Sequence, residues 1–195
     1  MRRDTRLTSL EYGSSFESHG KDIETILRKL FITSQPYSDK LKRLLVVNTK
    51  DCLNNDSDQV LEVLKETSLS SLVRDEYIKL APKIRRGEHE EVKSYIIMST
   101  DNYTANVTNT QYRDCTISFD IISYIDYWNL EDYRLRPLAI AGVIDGILNR
   151  ARLSGIGTLE FMGCNELILN EELAGYTLTY RAVHGNDDKL TPIED

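Results

Sequence analysis

Histidine, tryptophan, cysteine and proline are scarce in this chain, at three, one, three and four residues among 195. Cys52, Cys115 and Cys164 are far apart, odd in number and without C-x-x-C spacing. They therefore exclude a disulfide framework and a zinc knuckle, and they suit a reducing compartment. None of the histidines, His19, His89 and His184, has a second histidine at ligand spacing. His89 lies among Glu88, Glu90 and Glu91, a solvated charge cluster rather than a metal centre. Long apolar runs are missing as well: Leu44-Leu45-Val46-Val47 is typical, against the roughly 20 residues that cross a bilayer, so no membrane partner is expected. The basic start Met1-Arg2-Arg3-Asp4-Thr5-Arg6 runs into a polar stretch with no apolar signal core. The phosphate-loop, dinucleotide, zinc-protease and serine-hydrolase motifs are all absent, and no catalytic residue, cofactor or metal is expected from them.

What is present is an ordinary globular composition, 41% hydrophobic and 28% charged, long enough to bury a core. The net charge of -7 argues against a general nucleic-acid binder, whose affinity comes from Lys and Arg on phosphates.

Three segments are expected: a flexible arm over residues 1–20, a single α+β domain over 21–185, and a polar tail over 186–195. Within the domain, 21–82 reads as mainly helical. Ile23, Ile26, Leu27, Leu30 and Phe31 recur at helical spacing behind Asp22 as an N-cap. Leu41, Leu44 and Leu45 form a second short helix, although Leu44 to Val47 also suits a buried strand. Val60, Val63 and Leu64, then Leu69, Leu72, Val73, Tyr77 and Leu80, continue the helical pattern to Pro82.

From 83 to 185 the pattern becomes that of an antiparallel sheet packed on one face by a long helix. Tyr95 to Met98 is a β-type run. Ile117, Phe119, Ile121 and Ile125 alternate with Thr116, Ser118 and Asp120. Between these runs, Asn102 to Gln111, with Asn102, Asn106 and Asn109, reads as a projecting hairpin tip. From Pro137 the residues Leu138, Ala141, Ile144, Leu148 and Ala151 form one stripe, stopped by Gly155-Ile156-Gly157. Leu159 and Phe161 flank Glu160 in a strand. In the last strand Tyr176, Leu178, Tyr180 and Ala182 face one way.

Two features invite a chemical reading. Glu91-Val92-Lys93 has the form of the E-x-K half-motif of Mg²⁺-dependent nucleases, with Asp75 as the nearest upstream acid, although Asp75 falls in an expected helix. The stretch from Tyr124 to Arg136 gathers Tyr127, the sole Trp128, Tyr133, Arg134 and Arg136 at a strand-to-helix junction. Those residue types dominate protein-protein hot spots, and a satellite core beneath the loop is the competing reading.

Residues 95 to 183 resemble the tail terminators and neck, or tail-completion, proteins of tailed bacteriophages. The resemblance lies in Ile117 to Asp126-Tyr127-Trp128, Arg134-Leu135-Arg136-Pro137 with the helix to Leu153, Gly155 to Phe161, and Gly175 to Tyr180. It implies a non-enzymatic virion protein made in the host cytoplasm and located at the head-tail junction. Such a protein forms a ring of six or twelve copies between portal, neck or tail proteins, and DNA passes its lumen without specific binding. The family has no catalytic residues to transfer. Two alternatives stand beside this: a Mg²⁺-dependent phage nuclease using Glu91 and Lys93, and a cytosolic adaptor that binds one host protein through the aromatic segment.

Overall fold

The computed structural model describes residues 19–80, 93–105, 113–153 and 156–184. Helix α1 (His19–Arg28) runs directly into a π-turn over Lys29–Thr33. Ile26, Leu27, Leu30 and Phe31 bury along one side, as their spacing predicts. Asp22 lies in the first turn rather than at the cap, where a carboxylate still complements the helix dipole. Helix α2 (Tyr37–Val46) buries Ser38, Leu41, Leu44 and Leu45, so the ambiguous Leu44 to Val47 run is the end of a helix.

Helix α3 (Asp58–Glu66) has no fully buried residue. Helix α4 (Leu69–Arg74) opens with a reciprocal cap, in which the Ser71 N–H donates to Ser68 Oγ at 3.1 Å and the Ser68 N–H to Ser71 Oγ at 2.9 Å. The helical pattern expected to reach Leu80 breaks here. Glu76 takes a positive φ of 59°, and Ile78–Lys79 form strand β1. Three residues of turn allow Ile78 to drop into the core beside the sheet, which a continued helix would not permit.

The sheet is completed by β2 (Ser94–Ala105), β3 (Arg113–Tyr124), β4 (Arg152–Leu153), β5 (Gly157–Ile168) and β6 (Leu173–His184). Spatial order is β1-β2-β3-β6-β5-β4. All pairings are antiparallel except β1 with β2, so the sheet is mixed at one edge. Helix α5 (Arg136–Leu148) lies on one face with Ile140, Val143, Ile144, Ile147 and Leu148 buried against Ile117, Phe119, Ile121, Leu178 and Tyr180. Tyr180 Oη donates to Asp145 Oδ1 at 3.0 Å, a polar tie between helix and sheet. The architecture is α+β, as the sequence indicates: N-terminal helices, then a mostly antiparallel sheet with a helix packed on it.

Several details depart from the pattern. Leu138, placed on the buried stripe, is 42% exposed, because the buried face runs through Arg136, Pro137, Ile140 and Ile144 and leaves Leu138 on the outer side. The helix ends at Leu148, not at Leu153, and Arg152–Leu153 turn into β4. Phe161 is exposed although Leu159 is buried: the ladder shifts register between Phe161 and Gly163, and the strand runs out beyond the cover of α5. Ile125 has left the strand for a 3₁₀ turn and is exposed. On the face away from α5, Thr177 Oγ1 donates to Asp120 Oδ1 at 2.6 Å, while Tyr95, Ile97, Ile122 and Leu173 form a small second cluster.

Candidate functional site

Strand β3 stops at Tyr124 because the chain turns through a 3₁₀ turn, Ile125–Tyr127, and a second one, Glu131–Tyr133. Around the second turn Asn129 and Leu135 form an antiparallel bridge, and the Leu130 N–H donates to the Arg134 carbonyl at 2.8 Å. Residues 129–135 are thus a small closed loop. It is pinned from below by the buried Leu130 and from the side by the Glu131 N–H on the Lys50 carbonyl at 3.0 Å.

Each residue expected at this junction has a definite place. Trp128 is half-buried, its Nε1 donates to the Ser123 carbonyl at 3.1 Å, and its ring lies 6.3 Å from that of Tyr176. Tyr127 is half-buried with its ring 6.2 Å from Tyr124. The Glu172 carboxylate near Tyr124 pushes that phenol's pKa up. Tyr133 stands at the loop tip, wholly exposed and at φ 59°, a left-handed conformation that bulky residues rarely adopt. Arg134 is exposed beside it.

Arg136 is different. Its side chain has no exposed surface, and its guanidinium donates to four carbonyl oxygens with the Cys52 thiol also within hydrogen-bonding reach. Nε reaches Tyr127 at 2.9 Å, Nη1 reaches Leu44 and Val47 at 2.8 Å each, and Nη2 reaches Thr49 at 2.6 Å. Three of these acceptors cluster at the end of α2, where the dipole favours a cation, and no carboxylate takes part. Burial draws the Arg136 pKa down, with Cys52 close by opposing the shift. Arg136 therefore belongs to the subunit interior, a correction to its expected place on an interface. A signal existed in the sequence: an arginine in the first turn of a helix opposes the dipole there, so its charge is needed elsewhere.

The hairpin tip is partly in view. Asn102 is exposed near the end of β2 at φ 51°, a conformation asparagine tolerates, where the ladder shifts register between Asp101 and Thr104. Asn106 and Asn109 lie outside the described residues, as do 1–18 of the arm and the tail.

Of the nuclease half-motif, Glu91 lies outside the described residues. Lys93 Nζ donates to the Asp75 carbonyl at 3.1 Å and sits 5.2 Å from the Tyr77 ring centre. Asp75 follows directly on α4, and its carboxylate hydrogen-bonds to Arg74, which lowers its pKa. Among the described residues no group of three His, Cys, Asp or Glu side chains is placed to hold a metal. A cleft of about 240 Å³ lies among Val46, Val63, Leu72 and Tyr77, with Glu66 and Asp75 at its polar side. No described helix is long and apolar enough to cross a membrane.

These features define an α+β protein whose aromatic junction exposes Tyr133 and Arg134 and is rooted on a buried arginine. The chain belongs to the YomW family, whose model matches residues 38–182. No curated protein matches it. A solved chain from the virion of a native gene transfer agent particle is similar over 64% of this chain and 91% of that one, at 14% identity and a TM-score of 0.37. Similarity that low carries no argument about function.

Proposed function

We propose that this chain is a non-enzymatic structural subunit of a phage-like particle, which assembles with itself into a ring at the head-tail junction and contacts neighbouring virion proteins there. The observation that carries the reading is the loop from Tyr127 to Arg134. Tyr133 is wholly exposed and Arg134 is exposed beside it, on a loop tied down at Asn129, Leu130 and Leu135. Tyrosine and arginine are among the residue types that dominate protein-protein hot spots, and a loop already tied down loses little backbone freedom on binding. Tyr133 holds a left-handed conformation that a bulky side chain disfavours, and such strained residues recur at contact sites. The resemblance of residues 95 to 183 to tail-terminator and neck proteins supplies the station. Under this reading Tyr127, Trp128, Tyr133 and Arg134, with the Asn102, Asn106 and Asn109 tip, serve the interfaces, the arm over 1–20 reaches a neighbour, and DNA passes the lumen unbound.

Sedimentation and negative-stain microscopy of the purified chain test this directly. Rings are expected, together with the protein's presence in its parent particle. A chain that stays monomeric at high concentration and is missing from the particle would remove the reading.

A further inference from the structure

Among the described residues, most of the outer edge of strand β5 is uncovered. Strand β4 pairs with it only at Gly157 and Thr158, and Ala151 and Arg150 close the ladder at Leu159. From Glu160 to Ile168 the outer side of β5 has no backbone partner among the described residues. The same stretch is exposed and apolar: Phe161, Met162, Ile168 and the following Leu169 all show large hydrophobic surface. A long, apolar, unpaired edge is a template for another strand, and stable proteins blunt or cover such edges. The opposite edge is blunted, since β1 covers part of β2 and the register shifts beyond Asp101.

We infer that this edge receives an added strand from the N-terminal residues 1–18 of a neighbouring copy, a contact that rests on the ring assembly proposed above. Charge selects the occupant. Glu160, Glu166, Glu171 and Glu172 are exposed along and just beyond the edge, and nearby Arg181 already bonds Asp114. The first ten residues of the N-terminal segment offer Arg2, Arg3 and Arg6 against one acid, Asp4, beside Leu7 and Leu10, whereas Glu11 and Glu17 lie further along. Length agrees: 18 residues extended span about 60 Å, and nine paired with β5 use about half. A neighbour is the better donor than the chain itself. In a closed ring every copy gives one arm and receives one, so each open edge is covered.

Cys164 lies exposed midway along the edge, whereas Cys52 and Cys115 are buried, so the native protein carries its own reporter. Thr5→Cys, Leu7→Cys and Ser9→Cys on one strand parity, and Thr8→Cys and Leu10→Cys on the other, are oxidised one at a time in the full-length protein. Disulfides to Cys164 between chains are expected, forming ladders up to the ring size, with one parity at least tenfold above the other. Glu160→Lys with Glu166→Lys should lower that yield about tenfold, and an unchanged yield overturns the choice of occupant. Rings with no Cys164 disulfide at any position overturn the docking and leave the ring reading standing. Disulfides confined to single chains overturn the neighbour as donor, and protein that never leaves the monomer overturns both.

Discussion

The Arg136 guanidinium donates to the Leu44 carbonyl at 2.8 Å across 92 residues of sequence, and so joins the first helix after the sheet junction to the helical N-terminal layer. Its other bonds, to Val47, Thr49 and Tyr127, make it the common root of α2, the loop that follows it and the aromatic junction.

Arg136→Ala strands four carbonyl oxygens and opens a cavity, and is expected to destabilise by roughly 3 to 5 kcal/mol in urea unfolding. Arg136→Lys keeps the charge, but three donors on a flexible stem do not reproduce the fork, so about 2 kcal/mol should still be lost. A loss under about 1 kcal/mol for the alanine variant would show that the carbonyls find water instead.

Two glycines should respond with opposite signs. A Cβ on Gly175 would stand 1.7 Å from the Ile121 carbonyl oxygen in the adjacent strand, a clash with backbone that cannot move without breaking the ladder. Gly175→Ala is expected to cost about 3 kcal/mol or more, or to prevent soluble expression. Gly142, exposed on α5, has nothing within 4 Å of its Cβ position, so Gly142→Ala should stabilise by roughly 0.5 to 1 kcal/mol. Thermal melts of the two variants check both signs.

Along α5, Ile144→Ala or Leu148→Ala should cost about 2 to 5 kcal/mol, since both side chains are fully buried. Leu138→Ala should change stability by no more than about 0.5 kcal/mol. Equal losses at Leu138 and Ile144 in chemical denaturation would mean that the outer side of the helix is covered.

The aromatic junction divides into a root and a tip. Trp128→Ala removes an indole bonded to Ser123 and packed on Tyr176, and should lower monomer stability by about 2 to 3 kcal/mol. Tyr133→Gly relieves the left-handed strain and should leave the monomer as stable or up to about 1 kcal/mol more so, while weakening ring assembly at least tenfold in sedimentation. Unchanged assembly of Tyr133→Gly would take the loop tip out of the interface.

Local pattern carried the elements whose faces see one environment. The buried side of α1 and α2, the alternation from Thr116 to Ile121 and that from Leu178 to Ala182 follow from the 3.6 and 2.0 periods alone, because one face meets the core and the other does not. By itself the sequence thus determined an α+β chain with helices first and a sheet backed by one long helix. It also singled out the junction from Tyr127 to Arg136 as the segment where aromatic residues and arginines gather.

Only the tertiary structure decided where those residues point. Arg134 and Arg136 are two positions apart with the same charge, yet one is exposed and the other has no exposed surface. What separates them is the cluster of carbonyls that α2 brings to Arg136 from some 90 residues away, and no local window contains it. The break at Glu76 and the loss of helix cover at Phe161 have the same origin. Whether a segment continues as helix, or an apolar residue is buried, depends on which partner element reaches it, and that is settled by contacts distant in sequence.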